Sequence, residues 1–549
     1  MISSVEIENW RSIQTLTLPL DGLTVLVGPN GAGKSAILSA IDFVLGTRWP
    51  GMAYLSMPRD FYGMRSTEGL RIRCNFAPSL VYTDAAGEQH DISSLEFSCK
   101  PYKRAIGSKA AGDLHDDFYP LLADGSQPKV VTERPKKGTQ RKYGPLYRVN
   151  TDLRDQARIL MIGDRRTVAS HASGKRGSAL NVLLAEARKE FDADLGGTQS
   201  DFRSRYDEAQ ASLKTDTVKA IENSVGETAK RMLGFLGKDA IRDLDVGFTF
   251  ADPTNPFGSL AVVCKEGDIE LPAETMGLGI QSAIVVGVFE ALRQQKANLG
   301  TVLIEEPEMY LHPQAQRYFH RLLTELADSG RCQVIYTTHA PIFADAARFE
   351  TLRLLHKPSG GSTAVARIDK KEDVAYLQSQ RERHKLDQYL DQAASELLFA
   401  RKVLLVEGHG DYLASRIVAA KLGVDLDAEG LSVISCGGKS AMPFFARLCC
   451  ALSIPTVILH DEDIIEGDGT ELSARVVESN TKAKELNEEV AKAAPGMPVF
   501  AVPRSLENVL GIGSGAADKP MRVAQALEAM KISDMPEALV AAVKSLTGR

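Results

Sequence analysis

Residues 23–35 read LTVLVGPNGAGKS, an apolar run that leads into a glycine-rich loop and then into a predicted helix. Positions 28–35 fit the pattern G-x-x-x-x-G-K-[ST] without a mismatch, and the strand before it and the helix after it make this a credible phosphate site. Gly31 and Gly33 let backbone N–H groups face a phosphate chain, and Lys34 reaches the β- and γ-phosphates. The predicted cofactor-binding residues for ATP and its Mg²⁺ are Asn30, Gly31, Gly33, Lys34 and Ser35.

A second apolar strand that ends in acids supports this interpretation. Residues 301–308 read TVLIEEPE, and a strand placed next to the first one in a parallel sheet would deliver Glu305 to Mg²⁺ and Glu306 to the γ-phosphate. The alternative is a strand that merely ends at an acidic surface turn. Residues 333–341, QVIYTTHAP, form a further apolar strand pattern that ends at His339, where a sensor of the γ-phosphate is expected.

Two more apolar strands with acidic ends lie in the last third of the chain. Residues 402–411 read KVLLVEGHGD and end the first strand at Glu407, with a glycine next to it. Residues 456–469 read TVILHDEDIIEGDG and end the second strand at Asp461 and Asp463, on one side of an extended segment. Carboxylates gathered at adjacent strand ends repel each other unless a divalent cation neutralises them, and oxygen ligands favour Mg²⁺ or Mn²⁺.

Composition limits the classes to which the chain can belong. The 549 residues predict two to four domains, and 44% hydrophobic with 25% charged residues excludes wholesale disorder. A net charge of −6 excludes a basic DNA-coating protein, so a nucleic acid would be held by local patches or by bound metal ions. The seven cysteines include no CxxC pair, which argues against a zinc site. Cys449 and Cys450 are expected in the core. No apolar run is long enough to cross a membrane, which predicts a cytoplasmic protein.

The order of the first three motifs resembles the ATP-binding-cassette ATPases of the SMC and RecF type. Between the glycine-rich loop and the acidic strand, residues 276–282 read MGLGIQS and loosely match the family's signature, which caps the nucleotide of a partner subunit. The resemblance implies that Glu306 is catalytic, and it implies a homodimer or higher oligomer. The family usually has Asp where this chain has Glu305. The signature residues that the resemblance assigns to nucleotide binding are Gly277, Gly279 and Gln281.

The second pair of acidic strands resembles the Toprim domain of topoisomerases, primases and certain nucleases. A cassette ATPase followed by Toprim is the order of the OLD (overcoming lysogenization defect) nucleases, which include the Gabija nuclease. The resemblance implies that Glu407, Asp461 and Asp463 are both catalytic and metal-binding. Two further metal-binding acids are implied, together with a catalytic late lysine: the candidates are Asp411 and Glu507 for the acids, and Lys519, with Lys531 as its rival, for the lysine.

For two segments, the sequence leaves two interpretations open. Residues 129–148 carry seven Lys or Arg side chains against one acid, Glu133, and are either a solvated hairpin or loop edge, or an arm that contacts phosphates. Gly437, Gly438 and Lys439 form either a tight turn or a loop that contacts the cleaved strand.

The predicted fold class is α/β: an ABC-type ATPase domain with a helical dimerisation insert, followed by a Toprim nuclease domain with a Rossmann-like parallel sheet. Helix formers at helical spacing, without proline, define the insert. The predicted boundaries are 1–177 and 241–368 for the two parts of the ATPase domain, 178–240 for the insert, 369–398 for a connector and 399–549 for Toprim.

The leading functional hypothesis is an ATP-regulated, metal-dependent DNA endonuclease that uses two metal ions, in anti-phage defence or DNA repair. A helicase or another defence protein encoded nearby is the expected partner. The alternative hypothesis is a RecF/SMC-like DNA-binding ATPase without nuclease activity. A topoisomerase or primase is disfavoured, because no segment is long enough for a DNA-gate domain and no zinc module is indicated.

Overall fold

The computed structural model describes most of the chain, in two compact units. The described residues are 1–104, 110–131, 142–163, 167, 178–184, 215–234, 244–250, 260–266, 269–294, 300–358, 361–386, 392–466, 473–513 and 518–549. The first unit comprises Met1–Leu26, Asn30–Thr338 and Leu355–Ala364, and the second comprises Val27–Pro29, His339–Leu354 and Val365–Arg549. The finer domain boundaries given above stay predictions.

In the described residues, the first two thirds of the chain contain three β-sheets, a short hairpin and several of the longer helices. Its strands are β1 (Ile2–Trp10), β2 (Ile13–Pro19), β3 (Leu23–Val27), β4 (Leu70–Thr83), β5 (Gln89–Pro101), β6 (Leu114–Leu121), β7 (Lys129–Val131), β8 (Tyr143–Pro145), β9 (Ile159–Ile162), β10 (Leu244–Phe250), β11 (Leu260–Glu266), β12 (Ile269–Pro272), β13 (Gly300–Glu305), β14 (Cys332–Thr337), β15 (Leu352–His356) and β16 (Ala364–Ala366). Its helices are α1 (Lys34–Leu45), α2 (Thr151–Gln156), α3 (Ala179–Leu183), α4 (Asp216–Gly234), α5 (Leu278–Gln294) and α6 (Pro313–Asp328). Short 3₁₀ turns lie at Met52–Tyr54, Tyr62–Met64, Ser66–Glu68, Ala273–Thr275, Pro341–Phe343 and Ala346–Thr351.

An antiparallel sheet opens the chain. Its five strands have the order β2–β1–β4–β5–β6, and buried and accessible residues alternate along β1, β2 and the first half of β4, as expected where one face packs on a core. The indole N–H of Trp10 donates a hydrogen bond of 3.0 Å to the backbone oxygen of Ala36, which ties β1 to helix α1.

A six-stranded sheet has the order β16–β15–β3–β14–β13–β9. Strands β3, β14, β13 and β9 run parallel, and β3 and β14 are buried at every residue, which explains their continuous apolar sequences. The expectation that the acidic strand β13 lies next to β3 is wrong, because β14 is hydrogen-bonded between them. Strand order depends on tertiary pairing, which the local sequence pattern does not encode.

The region predicted as a helical insert is helical where it is described. Helices α3 and α4 lie in this region, and residues 185–214 and 235–240 are outside the described residues. Helix α4 buries one face, including Val218, Ile221 and Val225. It approaches α5 closely at Gly287, because a Cβ atom there would lie 2.7 Å from the backbone oxygen of Val225. The dimerisation role of this segment stays a prediction.

The basic stretch 129–148 contains the antiparallel pair β7 and β8, in the register Lys129 to Pro145. Its residues 132–141, which hold several of the basic side chains, lie outside the described residues. The described part thus agrees with the hairpin interpretation, and the phosphate-contacting interpretation stays open.

The last third of the chain builds a second α/β layer. Its strands are β17 (Lys402–Val406), β18 (Leu431–Ser435), β19 (Thr456–Asp461) and β20 (Val499–Val502). Its helices are α7 (Lys371–His384), α8 (His409–Lys421), α9 (Leu426–Glu429), α10 (Met442–Ala451), α11 (Ala474–Ala493), α12 (Leu506–Val509), α13 (Lys519–Ala529) and α14 (Glu537–Thr547). The 3₁₀ turns of this part lie at Gln392–Leu398, Lys439–Ala441 and Ile532–Asp534.

The four strands of this layer are all parallel, in the order β18–β17–β19–β20. Side chains of β17, β18 and β19 form one apolar core with α8, α13 and α14, exemplified by Leu404, Val418 and Leu539. Because β17 and β19 are parallel neighbours, their carboxyl ends lie at the same edge of the sheet. The sheet therefore brings residues after Val406 close to those at the end of β19.

The predicted connector is packed rather than free. Helix α7 contacts two helices that follow it. Asp373 forms an ion pair of 2.5 Å with Arg447 of α10. Gln380 donates a hydrogen bond of 2.8 Å to Glu489 of α11. These contacts make α7 part of the second unit.

The seven cysteines lie as free thiols, with Cys449 buried and Cys450 half-buried, so the second of this pair is less enclosed than expected. Within the described residues, no helix combines the length and the apolarity that crossing a bilayer requires.

Candidate nucleotide and metal sites

The glycine-rich loop has the backbone that a phosphate cradle needs. Gly31 has a φ of 74° and Gly33 a φ of 108°, both in the left-handed region that favours glycine. A Cβ atom at Gly33 would also lie too close to the hydroxyl oxygens of Thr363 and Ser12, so any other residue there would have to displace these side chains in addition to adopting the left-handed φ. Asn30 and Ser35 are exposed, and their contact with a nucleotide stays a prediction.

Lys34 is the buried cation of this loop. It begins helix α1 and is only 6% exposed. Burial lowers the pKa of its ammonium to about 8, while the nearby carboxylates of Glu306 and Glu308 act in the opposite direction. A desolvated cation at a helix N-terminus fits a bound polyphosphate, since both the ammonium and the helix dipole favour negative charge there.

Two acids that follow strand β13, Glu306 and Glu308, lie close enough to Lys34 for their charges to act on it. Glu305 ends β13 and is half-buried, and Glu306 has a φ of 44°, with its N–H donating 3.0 Å to the backbone oxygen of Thr337. This hydrogen bond fixes the turn that follows the strand. Glu308 was not singled out from the sequence. It accepts a hydrogen bond of 3.0 Å from the hydroxyl of Thr338, and its charge acts on Lys34.

The signature residues stand at the start of helix α5. Gln281 is buried, and its amide group donates to the backbone oxygens of Glu274 at 3.1 Å and Met276 at 2.7 Å, which closes the turn before the helix. Gly277 and Gly279 lie in and beside this turn. His339 is half-buried two residues after β14. The roles of these four residues toward a nucleotide stay predictions.

In the second unit, the carboxyl ends of β17 and β19 bring two acids into direct contact. Glu407 follows β17 and Asp461 ends β19, and the Asp461 N–H donates a hydrogen bond of 2.8 Å to Oε1 of Glu407. The Leu506 N–H donates 3.0 Å to Oδ1 of Asp461, so the first residue of helix α12 fixes this carboxylate. Both carboxylates are thus oriented by backbone groups of neighbouring elements.

The remaining predicted acids surround this pair. Asp411 lies in the first turn of α8, where its Oδ2 accepts a hydrogen bond of 3.1 Å from the Gly408 N–H. Asp463 has a φ of 55°, and its N–H donates 2.7 Å to the backbone oxygen of Arg504. Glu507 lies in the first turn of α12, and its charge raises the pKa of Asp411. The structure therefore brings Glu407, Asp411, Asp461, Asp463 and Glu507 together.

A lysine that sequence reasoning left undecided lies among these acids. The Nζ atom of Lys439 donates 2.8 Å to Oδ2 of Asp463, lies 3.7 Å from Oε1 of Glu407 and also donates to the backbone oxygen of Asp461. For Lys519 and Lys531, no contact of the described chain joins either side chain to these acids. The catalytic role of Lys519 stays a prediction. Lys519 begins helix α13.

The acids share one electrostatic environment. Burial raises the pKa of Asp461 to about 8, of Glu407 to about 7 and of Asp411 to about 6, and the neighbouring carboxylates add to each of these shifts. Such a cluster destabilises its own ionised form, which a divalent cation would relieve. Five carboxylates offer oxygen ligands alone, the donor set that suits a hard cation such as Mg²⁺ or Mn²⁺. The donor chemistry of these residues therefore suits a divalent metal.

These raised pKa values predict how stability depends on pH without metal. In the unfolded chain, Glu407, Asp411 and Asp461 lose their protons at about pH 4. In the folded chain, their raised pKa values mean that they keep these protons to higher pH. These protons stabilise the folded state. Their full contribution is present below about pH 4 and is lost as the pH rises toward about 8. In EDTA, the Tm of the wild type is expected to rise from pH 8 to pH 6 by more than that of Asp461→Asn. Thermal melts of both proteins test this, and parallel curves would contradict it.

Two family models match the chain. The model described as AAA ATPase domain matches residues 1–117 and 140–344. The model described as Overcoming lysogenization defect protein-like, TOPRIM domain matches residues 398–463, which contain four of the five clustered acids. The predicted α/β fold class, with the ATPase domain first and Toprim last, is confirmed. These domains imply that the chain uses a nucleotide and a divalent metal.

Three relatives match the chain to different extents. The OLD nuclease of Thermus scotoductus is 44% identical over 553 residues, covering 100% of this chain and 99% of that protein. The Old nuclease of Escherichia phage P2 is 23% identical over 496 residues, covering 84% of this chain and 77% of that protein. Endonuclease GajA of Bacillus cereus is 22% identical over 255 residues, 41% of this chain and 36% of that protein. This chain belongs to the OLD nuclease family.

Proposed function

We propose that the chain is an ATP-binding, divalent-metal-dependent endonuclease that cleaves phosphodiester bonds of DNA in its Toprim domain. One observation carries the proposal: five carboxylates converge at one edge of a parallel sheet, and the pKa values of three of them are raised by burial and by each other. A purely structural sheet edge has no reason to keep such a cluster, whereas perturbed acids gathered in one place are typical of catalytic sites. The names of the nuclease relatives support the same function.

The five acids would hold Mg²⁺ or Mn²⁺, and we propose that two ions bind there. Bound there, the cation supplies activation of the attacking water and stabilisation of charge on the leaving oxygen. The chain's own part is orientation. Backbone N–H groups of Asp461 and Leu506 aim the carboxylates of Glu407 and Asp461, and the Gly408 N–H aims Asp411. Because a bound cation also attracts phosphates, it lets a chain of net charge −6 bind a polyanion.

The ATPase domain would regulate this site. Residues Asn30 to Ser35 would bind ATP, with Ser35 and Glu305 near its Mg²⁺, and Glu306 and His339 would act at the γ-phosphate. Gly277, Gly279 and Gln281 would cap the nucleotide of a second copy, so that ATP promotes a homodimer or a higher oligomer. We further propose a cytoplasmic protein, in anti-phage defence or DNA repair, whose partner is a helicase or another defence protein encoded nearby.

Digestion of supercoiled plasmid tests the proposed activity directly. The purified full-length chain is expected to nick or linearise the plasmid with Mg²⁺ or Mn²⁺, and to leave it intact in EDTA. Parallel reactions with Ca²⁺, and with and without ATP, separate metal preference from nucleotide control. If no divalent ion supports cutting, with or without ATP, the nuclease proposal fails and a DNA-binding ATPase of the RecF/SMC type is favoured.

A further inference from the structure

Lys439 is a buried lysine within the acidic site, and the proposed chemistry gives it no role. Its side chain is only 7% exposed, although it is a lysine at the mouth of a polar site. A lysine buried to this degree is rare unless it is paired. Here the ammonium contacts two carboxylates and a backbone oxygen, so its charge is compensated within the cluster.

The loop that carries Lys439 is hydrogen-bonded to Glu407, the residue that follows β17. It follows β18, which pairs with β17, and Gly437 and Gly438 have φ values of 76° and 130°. The Gly438 N–H donates 2.8 Å to the backbone oxygen of Glu407. Nothing lies within 4 Å of a Cβ atom built at either glycine, so both positions require glycine for their backbone angles rather than for space. The loop therefore fixes where the lysine side chain enters the cluster.

The ammonium uses oxygens that a metal would need. Its partner oxygens are Oδ2 of Asp463, at 2.8 Å, and Oε1 of Glu407, at 3.7 Å. A divalent ion lies about 2.0–2.6 Å from its oxygen ligands. An ion bound to the oxygen that also accepts the ammonium would therefore lie close to the ammonium, and the two cations would repel each other strongly. Asp463 is 48% exposed and is the more accessible of the two acids, whereas Glu407 is 17% exposed.

We propose that Lys439 is an internal counter-cation of the Toprim site: it neutralises the carboxylates in the metal-free protein and releases Asp463 when a divalent cation binds. This inference rests on the metal site proposed above. It makes Lys439 a positioning residue, whose bonds hold the segment from Asp461 to Asp463 in place until the metal takes over that task. It also implies that the wild-type lysine weakens metal binding.

Metal affinity of the full-length chain tests this inference. At pH 8.5, calorimetric titration is expected to show that Lys439→Met binds Mn²⁺ about tenfold more tightly than the wild type, because a competing charge is gone. Lys439→Arg, which keeps the charge, should bind within about twofold of the wild type. Lys482→Met removes an exposed lysine paired with Glu478 on α11 and serves as the matched control, with unchanged affinity.

Thermal melts supply the second measurement. Lys439→Met should have a lower Tm than the wild type in EDTA, and Mn²⁺ should restore it. Unchanged or weaker Mn²⁺ binding by Lys439→Met overturns the inference while leaving the metal site intact. If the wild type binds no Mn²⁺, both the metal site and the inference fail. A Lys439→Met protein that stays unfolded in Mn²⁺ also overturns the inference, because a metal would then not replace the lysine.

Discussion

Replacing Asp461 with alanine is expected to lower metal-dependent plasmid cleavage by about 10³-fold. Asp461 touches Glu407 through its backbone and Leu506 through its carboxylate, so it lies at the centre of the acidic cluster. Losing a central ligand removes several kcal/mol of charge stabilisation at the reacting phosphate. A loss of about 4 kcal/mol corresponds to about 10³ in rate. Initial rates of plasmid nicking at saturating Mn²⁺ measure the effect.

Two further variants make this result interpretable. Asp461→Asn keeps an oxygen that can accept the Leu506 N–H, so it preserves the local fold while removing the charge. It should be impaired nearly as strongly as the alanine variant. Asp427→Ala removes an exposed acid of helix α9, which is 81% exposed, and should cut like the wild type. Cleavage by Asp461→Asn at a wild-type rate would show that the acidic cluster is not the nuclease site.

The parts of this site that could be predicted from sequence are those in which local pattern determines position. An apolar run that ends in an acid places the carboxylate at the end of a buried strand, and parallel strands in one sheet share that edge. This is why Glu407 and Asp461 were found, although 54 residues separate them in the chain. The glycine-rich loop was equally readable, because its glycines are required by backbone angles and close contacts within the loop itself.

The parts that could not be predicted depend on contacts between distant elements. Lys439 reaches its partners 22 and 24 residues away only because β17, which ends just before Glu407, is paired with β18 on one side and β19 on the other. In the sequence, SCGGKS is equally consistent with an ordinary tight turn. The position of β14 between β3 and β13 has the same origin, because strand order is a property of the whole sheet.

Gln281 illustrates a further gap. The signature match predicted nucleotide binding, but the amide of Gln281 already donates to the backbone oxygens of Glu274 and Met276. These bonds hold the turn before α5 and would orient Gly277 and Gly279 even without a nucleotide. A motif match states which residue types are present, whereas the partners of a side chain depend on the turn that precedes it. The prediction for Gln281 therefore needs its own test in the presence of ATP.

Replacing Lys34 with alanine is expected to lower ATP hydrolysis by roughly 10²–10³-fold, the usual cost of removing a charged group that stabilises a transferring phosphoryl group. The reason is local. Lys34 is 6% exposed at the N-terminus of α1, and its charge interacts with Glu306 and Glu308. Phosphate release at saturating Mg²⁺ and ATP measures the loss. Lys34→Met, which nearly fills the same volume, controls for a cavity and should be equally inactive.

The same variants separate the two activities of the chain. Cutting by Lys34→Ala in Mn²⁺ without ATP should persist in part, because the acidic cluster is assembled by contacts of the second unit alone. The lysine also predicts a pH profile. Its pKa is about 8 in the nucleotide-free chain, so ATP affinity should fall as the pH rises past that value, and the variants should lack this decline. Normal ATP hydrolysis by Lys34→Ala would remove the basis for placing ATP at this loop. Loss of ATP hydrolysis with retained DNA cutting would assign nucleotide turnover and phosphodiester cleavage to separate sites of one chain.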